Sequence, residues 1–273
     1  GVSNAVIFQD PSTLKVTIAG SEFGGTRANV PITIYNPDPG GGPSAALTSF
    51  SVIESTPVIS STTPGTAVAG SPGVPMTVTG SSFDPSAIVT WDGADLTPTT
   101  WNNYGSLTVT IPGANLATPG PHKVGVRNAT QGTQSAGTIT FVVQNPVPTV
   151  TSFDISSVLV GSPPPTITIN GTGFVSGSTV NWGSQTKSGT SLQWLSSSQI
   201  QVTLAAADIA TARSVSVSVT NPTPGGGTSN SATFTVANPS PMVTSLSPTT
   251  ALAGSTGVTL TVSGANFIAG GVL

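Results

Sequence analysis

Apolar side chains alternate with Thr, Ser and Asn along most of this 273-residue chain. A period of two predicts strands with one buried and one wet face. Met76 and Val78, Ile167 and Ile169, and Leu260 and Val262 each lead into a glycine (Gly80, Gly171, Gly264). Leu14-Val16-Ile18 matches Leu107-Val109-Ile111 and Ile200-Val202-Leu204. Val30-Ile32-Ile34 matches Val215-Val217-Val219, with Val124 and Val126 in the remaining copy. Phe141-Val143 and Phe234-Val236 mark a closing strand. No stretch carries a convincing 3.6-residue period; Gly113–Ala117 and Ala205–Ala210 predict single helical turns. About six or seven strands per unit, separated by Gly, Pro and Asn turns, predict an antiparallel sandwich.

The matching segments are copies of one unit. Pro57, Pro148 and Pro241, Gly80, Gly171 and Gly264, and Phe83, Phe174 and Phe267 recur at spacings of 91 and then 93 residues. A period in this range marks an array of small domains, and about 90 residues suffice for a sandwich core without staples. Complete copies are expected at 57–147 and 148–240. Residues 1–56 repeat the C-terminal portion of a copy and 241–273 its N-terminal portion. Leu273 aligns with Val89 and Val180, and Gly1 with Gly93, so tail and head together would omit about three residues of a further copy. Asn145-Pro146-Val147-Pro148 and Asn238-Pro239-Ser240-Pro241 link neighbouring copies, with Glu54-Ser55-Thr56-Pro57 at the earlier junction. Proline fixes φ and restricts its predecessor, so these links are expected to be semi-rigid.

The ordered landmarks resemble the IPT/TIG family of immunoglobulin-like domains. In the second copy they are Pro148-Thr149-Val150-Thr151-Ser152-Phe153, Gly161, the strand Thr166 to Gly171 with Thr172-Gly173-Phe174, and Ser178 to Gly183. Gln199 to Leu204, Val215 to Asn221, Pro222 to Asn230 and Ala232 to Val236 complete the set. The first copy departs at Asn128–Thr133, where the second has its Pro-Gly-rich loop; the fragments carry Asn36-Pro37-Asp38-Pro39-Gly40-Gly41-Gly42 and Pro241 to Phe267. The resemblance implies an all-β fold of tandem E-set-type immunoglobulin-like antiparallel β-sandwiches. Members of the family occur in surface receptors, transcription factors and secreted bacterial proteins, generally as non-catalytic modules.

Charge narrows the function classes. Only 5% of residues are charged, six Lys plus Arg against nine Asp plus Glu, for a net −3; about 25% is typical. So few cations cannot neutralise a run of phosphates, which excludes nucleic-acid partners and a polybasic membrane-surface patch. No apolar run reaches transmembrane length, and no membrane insertion is expected. The chain opens without Met or a signal-peptide pattern, as expected of a mature product or a segment of a longer one. Its hydroxyl-rich, weakly charged surface suits an extracellular or cell-surface setting, where screening and titration matter little, and favours side-by-side association; the family resemblance implies that this surface is bacterial.

Candidate chemistry is sparse. Trp91 and Trp182 end equivalent strands, and Trp101 and Trp194 sit one strand later. Such aromatics either stack on sugar rings or cap the core. There is no cysteine, hence no disulfide and no thiolate metal site. His122 is the only histidine and aligns with Val30 and Val215, with no recurring carboxylate pair beside it; no catalytic residue, cofactor or metal is expected. Asp92 and Asp95 could serve a weak calcium loop, but the second copy has Gly183-Ser184 there, and turn chemistry accounts for them. The Gly40–Gly42 and Gly225–Gly227 runs lack the Lys and helix of a phosphate loop and read as wide turns. Asn128-Ala129-Thr130 and Asn170-Gly171-Thr172 fit the glycosylation sequon, a common chance match in Thr-rich chains.

The expected function is structural: a surface fibre or stalk of end-to-end units. Its partner is either a second copy whose half-unit completes this one or a continuation of the same long chain. The alternative is an adhesion or carbohydrate-binding module with glycans as partners.

Overall fold

The computed structural model describes residues 5–18, 27–52, 56–129 and 133–272. These divide into two compact units between Val143 and Gln144. The expectations for Gly1, Glu54, Ser55, residues 130–132 and Leu273 lie outside the described residues.

In the first unit, one sheet has the order Thr99–Asn103, Ser106–Pro112, Gly73–Ser81, Val58–Thr63. The second sheet runs Ala94–Leu96, Ala87–Trp91, Gly120–Asn128, Ile139–Gln144, Thr66–Val68, with Thr133–Gln134 paired to Gly120–Asn128. Alternation explains which side chains lie between the sheets. Met76, Val78, Leu107, Val109, Ile111, Val89, Val124, Val126, Phe141 and Val143 form one buried cluster, while the Thr and Ser between them face outward.

The second unit repeats this plan. Thr149–Phe153, Thr166–Thr172, Gln199–Thr203 and Leu192–Ser196 form one sheet, and Ser157–Leu159, Ala232–Ala237, Arg213–Asn221, Thr179–Trp182 and Gln185–Lys187 the other. Ile167, Ile169, Ile200, Val202, Val217, Val219, Phe234 and Val236 fill its core. The expected helical turns are 3₁₀ turns at Gly113–Leu116 and Ala206–Ile209.

In the second unit the edge strand departs from a wholly antiparallel reading. Ser157–Leu159 lies parallel to Ala232–Ala237. The first strand breaks after Phe153 and the chain crosses to the other sheet while still travelling the same way, which leaves it parallel to the closing strand.

The repeated glycine has a steric cause. A β-bulge follows Ile59, Val150 and Val243, each opposite Gly80, Gly171 and Gly264. A Cβ on those glycines would lie 2.0, 1.9 and 1.9 Å from the carbonyl oxygens of Val58, Thr149 and Met242. It would also lie 2.5–2.6 Å from the rings of Phe83, Phe174 and Phe267. Only glycine lets the strand and the ring approach that closely.

The flanking segments, residues 5–52 and 241–272, keep the same local geometry. Met242–Ser247 and Thr261–Ala265 pair in the register of the first hairpin of each sandwich, bulge included. Ala5–Asp10 pairs with Thr13–Thr17 so that Phe8 opposes Leu14, as Trp101 opposes Leu107 and Trp194 opposes Ile200. Arg27–Ile32 pairs with Leu47–Val52, placing Val30 opposite Phe50 as Val215 is opposite Phe234.

Candidate functional site

The most distinctive surface of residues 241–272 is an exposed apolar face. Phe83 and Phe174 are fully buried in their sandwiches, but Phe267 is 49% exposed. Val243 is 56% exposed where Ile59 and Val150 are buried, and Leu260 is 48% exposed where Met76 and Ile167 are buried. Val243 and Phe267 line an open groove of about 650 Å³ together with Pro241, Val262, Ile268 and Val272. Among the described residues the strand Thr261–Ala265 also has no partner at the edge where Gly73–Ser81 pairs with Ser106–Pro112 and Thr166–Thr172 pairs with Gln199–Thr203.

Residues 5–52 also expose apolar side chains. Phe8 is 68% exposed, and Val6, Val16, Ile32, Ile34, Tyr35 and Leu47 are exposed as well. Val16 and Ile32 correspond to Val109 and Val124 of the first sandwich and Val202 and Val217 of the second, all buried. The Gly-rich turn of this segment is already shaped. Asn36 pairs with Gly42 as Asn221 pairs with Gly227. Ser44 accepts from the Ile34 N–H through Oγ (3.0 Å) and donates its own N–H to the Ile34 carbonyl (2.7 Å). Ser229 does the same at Val219 (2.9 and 2.8 Å).

In the second unit that Gly-rich turn holds the incoming linker. The Asn145 N–H donates to Pro224 O (2.8 Å), Gly226 N–H donates to Asn145 O (2.9 Å), and Asn145 Nδ2 donates to Pro222 O (2.9 Å). Asn221 Nδ2 donates to the carbonyls of Pro146 (2.8 Å) and Gly173 (2.6 Å), while Ser178 Oγ donates to Asn221 Oδ1 (2.6 Å). Asn145 and Asn221 are both buried. The Gly225–Gly227 run is thus a clasp as well as a turn, a role that composition alone did not reveal. Its compact shape requires glycine at 226, where a Cβ would lie 2.4 Å from Pro222 O.

The four tryptophans fall into two environments. Trp91 and Trp182 are buried in the sandwich cores, against Phe141 (5.3 Å between centroids) and Phe234 (4.9 Å). Trp182 Nε1 is buried without a hydrogen-bond partner. Trp101 is half-buried, donates Nε1–H to Phe83 O (2.9 Å) and meets the exposed Tyr104 edge-on. Trp194 is 42% exposed beside the exposed Leu195.

His122 stacks on Trp91 (4.7 Å) and its Nδ1 lies 2.7 Å from Asp92 Oδ2. That hydrogen bond, and a second from the Lys123 N–H (2.8 Å), hold the Asp92 carboxyl below its ordinary pKa. Asp92, at φ +50°, and Gly93, at φ +88°, form the two-residue turn between Trp91 and Ala94. Asp95 is paired with Arg127 through Nε (2.8 Å) and Nη2, which lowers its pKa. The two carboxylates therefore serve different partners. Lys187 Nζ donates to both oxygens of the buried Asp208 (2.6 and 2.7 Å), whose Oδ2 also accepts from Ala205 N–H. Among the described residues no group of three His, Cys, Asp or Glu could hold a metal ion.

The IPT/TIG domain model matches residues 57–142 and 148–236. The chain belongs to the IPT/TIG family. Both matches coincide with the two sandwiches, so the protein is a tandem of immunoglobulin-like TIG units. No curated protein matches the chain. Among solved structures it is similar to the Bacteroides ovatus mixed-linkage glucan utilization locus protein SGBP-B in complex with a mixed-linkage heptasaccharide. That pair shares 17% identity over 75% of this chain and 52% of the other, with a TM-score of 0.26. An ICAM-5 ectodomain fragment shares 17% identity (72% and 52% covered, TM-score 0.36). The Sidekick-1 immunoglobulin domains share 16% (88% and 52% covered, TM-score 0.32). The chain spans about half the length of each of these three chains. At such scores the likenesses add nothing to the family assignment.

Proposed function

We propose that this TIG protein is a non-catalytic structural element of an extracellular, bacterial surface array, assembled by completing its partial units between chains. The observation that carries the reading is the bare core face of residues 241–272. In each complete TIG unit, strands equivalent to those of residues 5–52 cover that face. A second copy of the chain brings such a segment. In a longer chain the residues that follow would do the same in cis and give a continuous array of the same units.

Magnitudes make completion feasible. Val243, Leu260, Val262 and Phe267 with Leu14, Val16, Val30 and Ile32 are about half-exposed or less before completion. Burying them fully is therefore worth about half of 1.5–3 kcal/mol per side chain, or about 6–12 kcal/mol together. Association costs about 4–15 kcal/mol, and a new strand ladder satisfies edge groups that otherwise invite uncontrolled pairing. A chain with so few charges offers little repulsion to oppose it. Electron microscopy of the 273-residue chain, paired with denaturing gels, tests the reading. Filaments or chains of units that dissociate to 26.9 kDa are expected; monodisperse single particles at every concentration would contradict it.

The exposed face of Trp194 supports a second reading, an adhesion module in which that ring and Leu195 meet a glycan. Oligosaccharide titration monitored by tryptophan fluorescence, with Trp194→Ala as the control, checks it.

A further inference from the structure

We infer, building on assembly between copies as proposed above, that the joint is specified by a clasp: the Asn36–Gly42 turn of one copy closes on the Asn238–Pro241 linker of another. The two motifs go together within the chain. Asn145-Pro146-Val147-Pro148 leads into the second TIG unit, whose turn reads Asn221-Pro222-Thr223-Pro224-Gly225-Gly226-Gly227. The first unit is entered through Glu54-Ser55-Thr56-Pro57, and its equivalent segment reads Asn128-Ala129-Thr130-Gln131-Gly132-Thr133. Asn238-Pro239-Ser240-Pro241 has the clasped type of linker, and the remaining turn of the clasping type is Asn36-Pro37-Asp38-Pro39-Gly40-Gly41-Gly42. Neither asparagine is covered: Asn36 and Asn238 are exposed, where Asn221 and Asn145 are buried.

The second unit supplies the geometry. Asn238 N–H donates to Pro39 O, Gly41 N–H donates to Asn238 O, and Asn238 Nδ2 donates to Pro37 O. Asn36 Nδ2 donates to the carbonyls of Pro239 and Asn266. Asn266 is ready for that role, because it stands at φ +62° where Gly173 stands at +72° and Ser82 at +61°. In the first unit Asn128 Nδ2 likewise donates to Ser82 O (3.1 Å). The same superposition fixes the strand register. Thr13–Thr17 adds antiparallel to Thr261–Ala265 with Leu14 opposite Val262 and Val16 opposite Leu260, as Leu107 opposes Val78 and Val109 opposes Met76. Two contacts are lost: Gly271 stands where Ser178 donates to Asn221 Oδ1 (2.6 Å), and Ala45 replaces Asn230, whose side chain bonds both the N–H and carbonyl of Val150 (3.0 and 2.8 Å). The first unit manages without the latter, joining Ala136 N–H to Pro57 O instead (3.1 Å).

The test compares critical concentrations for assembly of the full 273-residue chain, measured by sedimentation. Asn238→Ala removes one buried hydrogen bond and leaves Pro37 O unpaired, so the critical concentration should rise about 10-fold. A loop exchange giving residues 36–42 the sequence of 128–133 should raise it further. Asn128→Ala, remote from the joint, should leave it within about 2-fold while lowering the stability of the first unit. Because Asn238 lies in a linker, its variant preserves both sandwiches, and calorimetry verifies this. Wild-type assembly with unchanged critical concentrations in both joint variants overturns the clasp and leaves fibre formation standing. A wild-type chain that never assembles overturns both.

Discussion

At the scale of the residue, single side chains do different work at equivalent places. Trp91 rests on His122, and His122 holds Asp92, whereas Trp182 in the second unit has Val215 at the His122 position and an unpaired indole N–H. The Asp92 carboxyl is held below its ordinary pKa first by the His122 hydrogen bond and then by the Lys123 N–H. A depressed folded-state pKa means stability that is present above the unfolded value of about 3.9 and lost as pH falls through the folded value. Asp92 is half exposed, so the contribution is at most about 1 kcal/mol. Asp92→Asn should therefore lower the melting temperature of the first sandwich by a few degrees at pH 7. Calorimetry should show that difference closing as the pH falls below the ordinary carboxylate range. A difference that persists unchanged in acid would assign the effect to the turn and not to the charge.

At the scale of the element, the strand pattern was legible because alternation, turn residues and the repeat all point the same way. Met76-Val78 and its copies could be placed on a core face from spacing alone. The bulge glycine was legible as a landmark, but its cause was not, since a 1.9 Å approach to Thr149 O depends on the partner strand. Gly171→Ala forces that strand apart. Overpacking of this kind costs about 2 kcal/mol, or roughly 8–16 °C for a domain of this size. Calorimetry should show the transition of the second sandwich falling by that amount while the first stays in place; a shift under about 2 °C would reject the steric explanation. The parallel edge strand Ser157–Leu159 was not legible, because crossing between sheets leaves no mark in the hydrophobic period. Nor was the clasp around Asn145, which joins residues 77 apart through main-chain carbonyls. The tryptophans were legible as aromatics at strand ends, but only the fold separates the buried Trp91 and Trp182 from the exposed Trp194.

At the scale of the whole molecule, the chain holds two TIG units, and on the reading proposed above residues 5–52 and 241–272 are portions of further units that bring matching exposed apolar faces. A buried Phe174 and an exposed Phe267 share one local structure, so exposure at 267 reflects missing cover and not a different strand. The central claim is that the cover comes from residues 5–52 of another copy in a defined register. The chain has no cysteine, so a disulfide can report that register without competing thiols. Lys15 corresponds to Thr108 and Gln201, which oppose Thr77 and Thr168, the counterparts of Thr261. Opposed Cβ atoms in such a pair lie about 4.5–5.5 Å apart, close to disulfide range. The measurement is to mix a Lys15→Cys chain with a Thr261→Cys chain, oxidise them gently and run a non-reducing gel. Covalent pairs at twice the 26.9 kDa chain mass, absent when Lys15→Cys is mixed with Ser247→Cys, are predicted. No cross-link, or equal cross-linking at both positions, would contradict completion of the TIG unit between copies.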